Sequence, residues 1–143
     1  MGSEMRDVKL PPVLLGVNGG LMRGFPANQR MVDAGARFER EALTSPDYRL
    51  FSIENRFPGM LRDSAEGRAI ALEIWRLSPE GFVAVVEAEP LGLSVGRVEL
   101  DDGARILGVL AEPWLCESRL EITGHGGWRE YLRSVGLPAG DER

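Results

Sequence analysis

The stretch Val13-Leu14-Leu15-Gly16-Val17 constrains the fold more than any other feature of the chain. It is continuously apolar, Pro11-Pro12 discourages helix immediately before it, and glycines interrupt it immediately after. Such a run reads as a buried strand. The turn it feeds, Val17-Asn18-Gly19-Gly20-Leu21, is therefore expected to lie against a core and to wall a small-molecule pocket.

Punctuation by turn formers divides the rest. Residues 1–12 form a polar lead-in, 13–135 a single domain, and 136–143 a loose polar tail. Residues 28–34 suit a short helix, with Asn28 as cap and Gly35 as stop. Residues 36–43 and 48–53 flank Thr44-Ser45-Pro46-Asp47 and read as a hairpin. Phe57-Pro58-Gly59-Met60 and the segment 63–67 read as further turns with little regular structure between them. Residues 69–77 form a strand apolar enough to be covered on both faces.

Ser78-Pro79-Glu80 starts a helix that runs to about Ala88, because the serine accepts from free N–H groups and proline suits the first turn. Residues 96–100 and 104–112 make a long hairpin joined at Asp101-Asp102-Gly103. Trp128, Leu132 and Val135 share one face of a last helix that Gly136 ends. Strands in runs with few helices predict an α+β domain: a curled, mainly antiparallel sheet or barrel with helices at its side.

Composition bounds the function. The 143 residues carry a net charge of -5, with 43% apolar and 27% charged side chains, an ordinary globular balance. Scattered arginines among an excess of carboxylates do not make a nucleic-acid footprint. No run is long enough to span a membrane, and the lead-in has no apolar core segment, so a cytoplasmic protein without membrane attachment is expected. Cys116 and His125 are the only residues of their kinds, which leaves no disulfide framework, no zinc cluster and no call for a metal or other cofactor.

A set of blocks resembles the C-terminal domain of allophanate hydrolase, a member of the γ-glutamylcyclotransferase-like fold. The blocks run from Gly16-Val17-Asn18-Gly19-Gly20-Leu21-Met22-Arg23-Gly24-Phe25-Pro26-Ala27-Asn28 through Gly35-Ala36-Arg37-Phe38 and Ser45-Pro46-Asp47-Tyr48-Arg49-Leu50. They continue through Glu73-Ile74-Trp75-Arg76-Leu77-Ser78-Pro79-Glu80, Pro90-Leu91-Gly92 and Gly96-Arg97-Val98-Glu99-Leu100 with Asp102-Gly103, and end at Gly126-Gly127-Trp128-Arg129-Glu130-Tyr131-Leu132. The resemblance implies a free-standing homologue that binds a small carboxylated amide or carbamate in urea and nitrogen metabolism. It also implies decarboxylating or lyase chemistry, and it allows a separate amidase as partner.

The family turn reads like Ala-His-Leu-Ser-Gly, with its histidine implicated in decarboxylation; Asn18 stands at the apparent equivalent. Asparagine orients a carbonyl or carboxylate but does not shuttle protons near neutral pH. In γ-glutamylcyclotransferases the helix after the tryptophan-bearing strand ends at a catalytic glutamate, and spacing from Trp75 and Ser78 puts Glu89 there. A carboxylate beside backbone donors suits transfer of protons between amines around a tetrahedral oxyanion.

The candidates are thus Glu89 as the catalytic residue, and Val17, Asn18, Gly19, Gly20 and Leu21 as the ligand-binding turn. The chain is then an enzyme of the lyase or hydrolase kind, a cyclotransferase using Glu89, or a catalytically silent subunit of a separate amidase. Plainer roles stand beside these. Gly19-Gly20 can serve only to permit positive φ, and Glu89 can be an exposed helix end. Trp75 and Trp128 suit the core, Cys116 a structural position, His125 a loop, and Arg23 and Arg129 either a carboxylate clamp or the surface.

Overall fold

A computed structural model of the chain describes residues 9–143; the start of the lead-in lies outside that range. The elements are β1 (Val13–Val17), α1 (Asn28–Asp33), β2 (Arg37–Leu43), β3 (Tyr48–Ile53), β4 (Phe57–Arg62), β5 (Ala71–Leu77) and α2 (Pro79–Glu87). They continue with β6 (Leu93–Glu99), β7 (Arg105–Ala111), α3 (Pro113–Cys116), β8 (Leu120–Glu121) and α4 (Trp128–Ser134). Among the described residues no helix is long and apolar enough to cross a membrane.

The apolar run is the middle strand of a five-stranded sheet in the order β2-β5-β1-β7-β6. β1 pairs antiparallel with β5 from Val13↔Leu77 to Val17↔Glu73, and parallel with β7 only at Leu15↔Leu107 and Gly16↔Gly108. A second sheet has the order β4-β3-β8. The architecture is the expected α+β arrangement of mainly antiparallel strands with a few helices, in two open sheets and not a closed barrel. Leu15, Met31, Tyr48, Leu50, Ile70 and Val98 are fully buried in the main core. Phe51, Ile53, Ala111, Leu115 and Cys116 form a smaller core under β4 and α3. Burial pushes the Cys116 thiol up to about 11, in keeping with a packing role. Trp75 and Trp128 are both buried in the core.

Helix α2 starts as expected, with Ser78 Oγ accepting from Gly81 N at 3.0 Å and Pro79 in the first turn. The hairpin of β6 and β7 is in register from Leu93↔Ala111 to Glu99↔Arg105. Asn28, by contrast, is the first residue of α1 and not its cap; its Nδ2 donates to Leu21 O at 2.7 Å, tying the helix to the glycine turn.

Two further local expectations are overturned, and a third holds only in part. The segments 36–43 and 48–53 are both strands but do not pair with each other: β2 lies on β5, and β3 lies between β4 and β8. The connecting corner is held from outside. Thr44 Oγ1 accepts from Ile70 N, and Ser45 N donates to Glu99 O, so the chain passes from one sheet to the other instead of folding back. Phe57-Pro58-Gly59-Met60 is strand, because β4 is an edge strand where a proline removes no obligatory ladder bond. Gly59 is there because a Cβ would come within 2.9 Å of Cys116 Sγ and 3.1 Å of Ala111 Cβ. The tail is tied down at its middle, where Ala139 is buried and Arg129 donates to the carbonyls of Ala139 and Gly140 at 3.0 and 2.7 Å, while residues 136–138 and 141–143 on either side are exposed.

Candidate functional site

The β1–β7 ladder stops at Gly16, and the two strands part where the glycine turn begins. Asn18, buried at that point, closes the gap by donating from Nδ2 to Val109 O at 3.1 Å. Beyond it the chain leaves a cavity of about 180 Å³. One wall is Val17, Asn18, Gly19, Gly20 and Leu21 together with Ala27 and Arg30 of the α1 region. Glu89 and Pro90 after α2, Leu93 of β6 and Val109 of β7 also line it, Glu89 beside Arg30 and Val109 beside Asn18. Arg56, Phe57 and Pro58 complete it from the β3–β4 turn and β4. All six residues expected of the site from sequence therefore line one cavity.

Close contact requires a glycine at position 19 only, and torsion requires one at neither position. Neither Gly19 nor Gly20 has positive φ, which removes the expectation of a left-handed turn there. A Cβ on Gly19 would meet Pro58 Cδ at 2.5 Å, whereas one on Gly20 would sit 3.7 Å from Ala27 Cβ in ordinary contact. Gly19→Ala is accordingly expected to cost roughly 1–3 kcal/mol in a urea unfolding experiment through overpacking, and Gly20→Ala well under about 1 kcal/mol. Equal losses in the two variants would contradict this geometry. Met22 N donates back to Gly19 O at 3.0 Å, but the N–H groups of Gly19, Gly20 and Leu21 find no acceptor among the described residues.

Glu89 follows α2, its side chain only 11% exposed. The nearest cation is Arg30 of α1, whose NH2 stands 3.6 Å from Glu89 Oε1, too long for a hydrogen bond. That NH2 group instead donates to Val85 O at 3.0 Å. Glu89 Oε1 and Arg30 Nε are left buried without a hydrogen-bond partner among the described residues. Burial pushes the Glu89 carboxyl above its ordinary range, and the Arg30 charge acts in the opposite direction. Glu87, two residues earlier, is exposed. An under-bonded carboxyl with a raised pKa, set against unpaired backbone donors in a small cavity, is equipped to accept and return a proton.

Other candidates go elsewhere. His125 is exposed and its ring packs edge-on against Tyr131, away from the cavity lining. Arg23 and Arg129 do clamp a carboxylate, but it is the protein's own: Glu73 of β5, buried and held by both arginines and by Trp75. Reading the sequence alone missed Arg30 and Arg56, which carry no local motif, and Glu73. The last did leave a signal, since a lone carboxylate inside a strand covered on both faces requires a partner.

Residues 13–133 match the family described as the allophanate hydrolase C-terminal domain. Over 130 residues the chain is 29% identical to a urea amidolyase of Saccharomyces cerevisiae, a match spanning 86% of this chain and 7% of that protein. Among solved structures it is similar to c4763, a uropathogenic E. coli-specific protein, at TM-score 0.84 and 47% identity, covering 87% of this chain and 98% of that one. It is also similar to Kluyveromyces lactis allophanate hydrolase at TM-score 0.82 and 25% identity, covering 88% of this chain and 22% of that one. A γ-glutamyl cyclotransferase shares the fold at TM-score 0.54 and 12% identity, over 90% of this chain and 82% of that one. The chain thus spans a small part of the urea amidolyase and of the allophanate hydrolase.

Proposed function

We infer, for a chain that belongs to the allophanate hydrolase C-terminal domain family, that the cavity binds a small carboxylated amide or carbamate and that Glu89 moves protons at its nitrogen. The observation that carries this reading is the position of Glu89: an under-bonded carboxyl lining the same cavity as the unpaired N–H groups of the glycine turn. In this reading the unpaired N–H groups of the turn hold the ligand's carbonyl or carboxylate oxygen, while the Asn18 amide, donating to Val109 O and Met60 Sδ, fixes the turn that presents them. Asn18 carries no transferable proton, so acid–base work falls to Glu89.

For a carbamate the step is loss of carbon dioxide. The C–N bond breaks, its electron pair stays on nitrogen, and protonated Glu89 supplies the proton that makes the amine. The raised pKa of Glu89 favours this, since the acid form persists to higher pH than in an ordinary glutamate. A second reading uses the same group in both directions, and the presence of Glu89 and unpaired backbone donors in one cavity lining favours it. In a γ-glutamyl compound the α-amine attacks the γ-carbonyl carbon and forms the ring C–N bond. Glu89 takes the proton from the attacking nitrogen and delivers it to the departing amine as the old amide bond breaks.

The test is to incubate the purified chain with N-carboxylated amides and with γ-glutamyl amides, following carbon dioxide and 5-oxoproline. Turnover of one class, lost in Glu89→Gln, supports the corresponding reading. No turnover of either, with a separate amidase captured and stimulated by the chain, would replace both by an accessory role.

A further inference from the structure

We propose that Arg56 is the specificity-determining residue of this cavity, taking the carboxylate of the ligand at the cavity mouth while the amide end lies against Glu89 and the glycine turn. The proposal rests on the reading of the cavity as the ligand site. It starts from the charges around that cavity, which are two guanidinium groups, Arg30 and Arg56, and one carboxyl, Glu89. Arg30 is turned inward, its NH2 donating to Val85 O and facing Glu89 and its Nε buried, so its charge is matched within the protein. Arg56 has no ion-pair partner among the described residues. The carboxylate nearest to it in sequence, Glu54, is drawn away by Arg119 at 3.0 Å. An exposed guanidinium left over beside a cavity is a ready partner for a planar anion, which it can hold through two parallel N–H donors.

The turn that carries Arg56 is built, not incidental. Glu54 and Asn55 both have left-handed backbone, at φ 56° and 58°, although neither is glycine. Such a pair persists only where surrounding contacts over-determine it. Asn55 supplies them: Ser52 Oγ and Tyr131 OH both donate to its Oδ1, at 2.8 and 2.6 Å, and its N–H donates to Ser52 Oγ at 3.0 Å. Arg56 N then closes the turn on Ile53 O at 3.0 Å. The backbone of Arg56 is thereby held in place before any ligand arrives.

Arg56 also marks a boundary. Together with Gly20 and Ala27 it lines both the 180 Å³ cavity and an adjoining depression of about 320 Å³ that extends over Phe25 and Trp128. A ligand anchored at Arg56 has its reacting end in the first space and room for a further substituent in the second.

A matched pair of probes tests this: succinamate, and butyramide, which has a methyl where succinamate has its carboxylate. Each is titrated into the wild-type chain, Arg56→Gln, Arg56→Lys and Arg30→Gln, following the backbone amide resonances of Gly19 and Gly20. Wild type is expected to bind succinamate about tenfold or more tightly than butyramide, the value of one charge-assisted contact. Arg56→Gln is expected to bring the two to parity without weakening butyramide, and Arg56→Lys to keep part of the preference. Equal binding of both probes by wild type, or a preference that survives Arg56→Gln and disappears in Arg30→Gln, overturns the role of Arg56 while leaving the cavity as the ligand site. If neither probe moves the glycine resonances, the cavity reading fails and the proposal with it.

Discussion

Glu73→Ala is expected to cost the fold about 3–5 kcal/mol, the range for removing one partner of a buried ion pair. Glu73 lies on the strand next to β1, opposite Val17 in the ladder, and is 1% exposed. Its four bonds leave no oxygen idle. Oε1 accepts from Arg23 N at 2.9 Å and Trp75 Nε1 at 3.1 Å; Oε2 accepts from Arg23 Nε at 3.2 Å and Arg129 NH2 at 3.0 Å. Arg129 in turn holds Arg23 O, at 2.6 Å, and the carbonyls of the C-terminal segment. Removing the carboxylate strands a buried guanidinium and an indole N–H, and loosens three parts of the chain together. Against a typical total of about 5–15 kcal/mol, that loss approaches unfolding.

Urea melts of Glu73→Ala, Arg129→Ala and the double variant test the account. The double variant should be much less destabilised than the sum of the singles, because the second removal takes away a charge already unpaired. Strict additivity would mean that Glu73 contributes as bulk and not as a counter-charge. Glu73→Gln should remain strongly destabilised despite its similar volume, since an amide N–H₂ would face donors where an oxygen now accepts.

This clamp shows what a sequence makes legible and what it hides. Periodicity and turn chemistry are local, and the elements that depend on them are where they were expected: β1, the Ser78-Pro79 start of α2, the hairpin around Asp101-Asp102-Gly103 and the helix of Trp128. The errors share one physical source, a partner distant in sequence. Thr44-Ser45-Pro46-Asp47 has the composition of a hairpin turn, but Ile70 and Glu99 take up its backbone groups and make it a corner between sheets. Pro58-Gly59 has the composition of a turn, but an edge position accepts the proline and Cys116 demands the glycine. Arg23 and Arg129 read equally as a carboxylate clamp or as surface residues, and nothing local decides between these or between an internal carboxylate and a bound one. The same holds at the cavity. Its turn and Glu89 were legible through spacing within a resemblance, whereas Arg30 and Arg56 come to it from a short helix and a strained turn with no pattern of their own.

Glu89→Gln separates stability from chemistry at that cavity, and its two effects should have opposite signs. On the reading that Glu89 transfers the proton, turnover should fall by roughly 10²–10⁴-fold, the contribution of one positioned acid or base. Stability should not fall with it. The folded-state pKa of Glu89 is raised by burial, with Arg30 opposing, so between the ordinary carboxyl pKa and the raised value the folded chain binds more protons at this site than the unfolded chain. With fewer protons bound in the unfolded state, unfolding free energy decreases as pH rises. The contribution is therefore fully present below the unfolded pKa and lost as pH climbs through the folded one. Glutamine has no such titration. Wild type should lose stability relative to Glu89→Gln as pH rises through that window, and above it the variant should be the more stable of the two. Urea midpoints of both chains from acid to neutral pH measure the difference directly. A difference that does not change with pH would show that Glu89 is not desolvated by the fold, and would remove the raised acid on which the proposed chemistry depends.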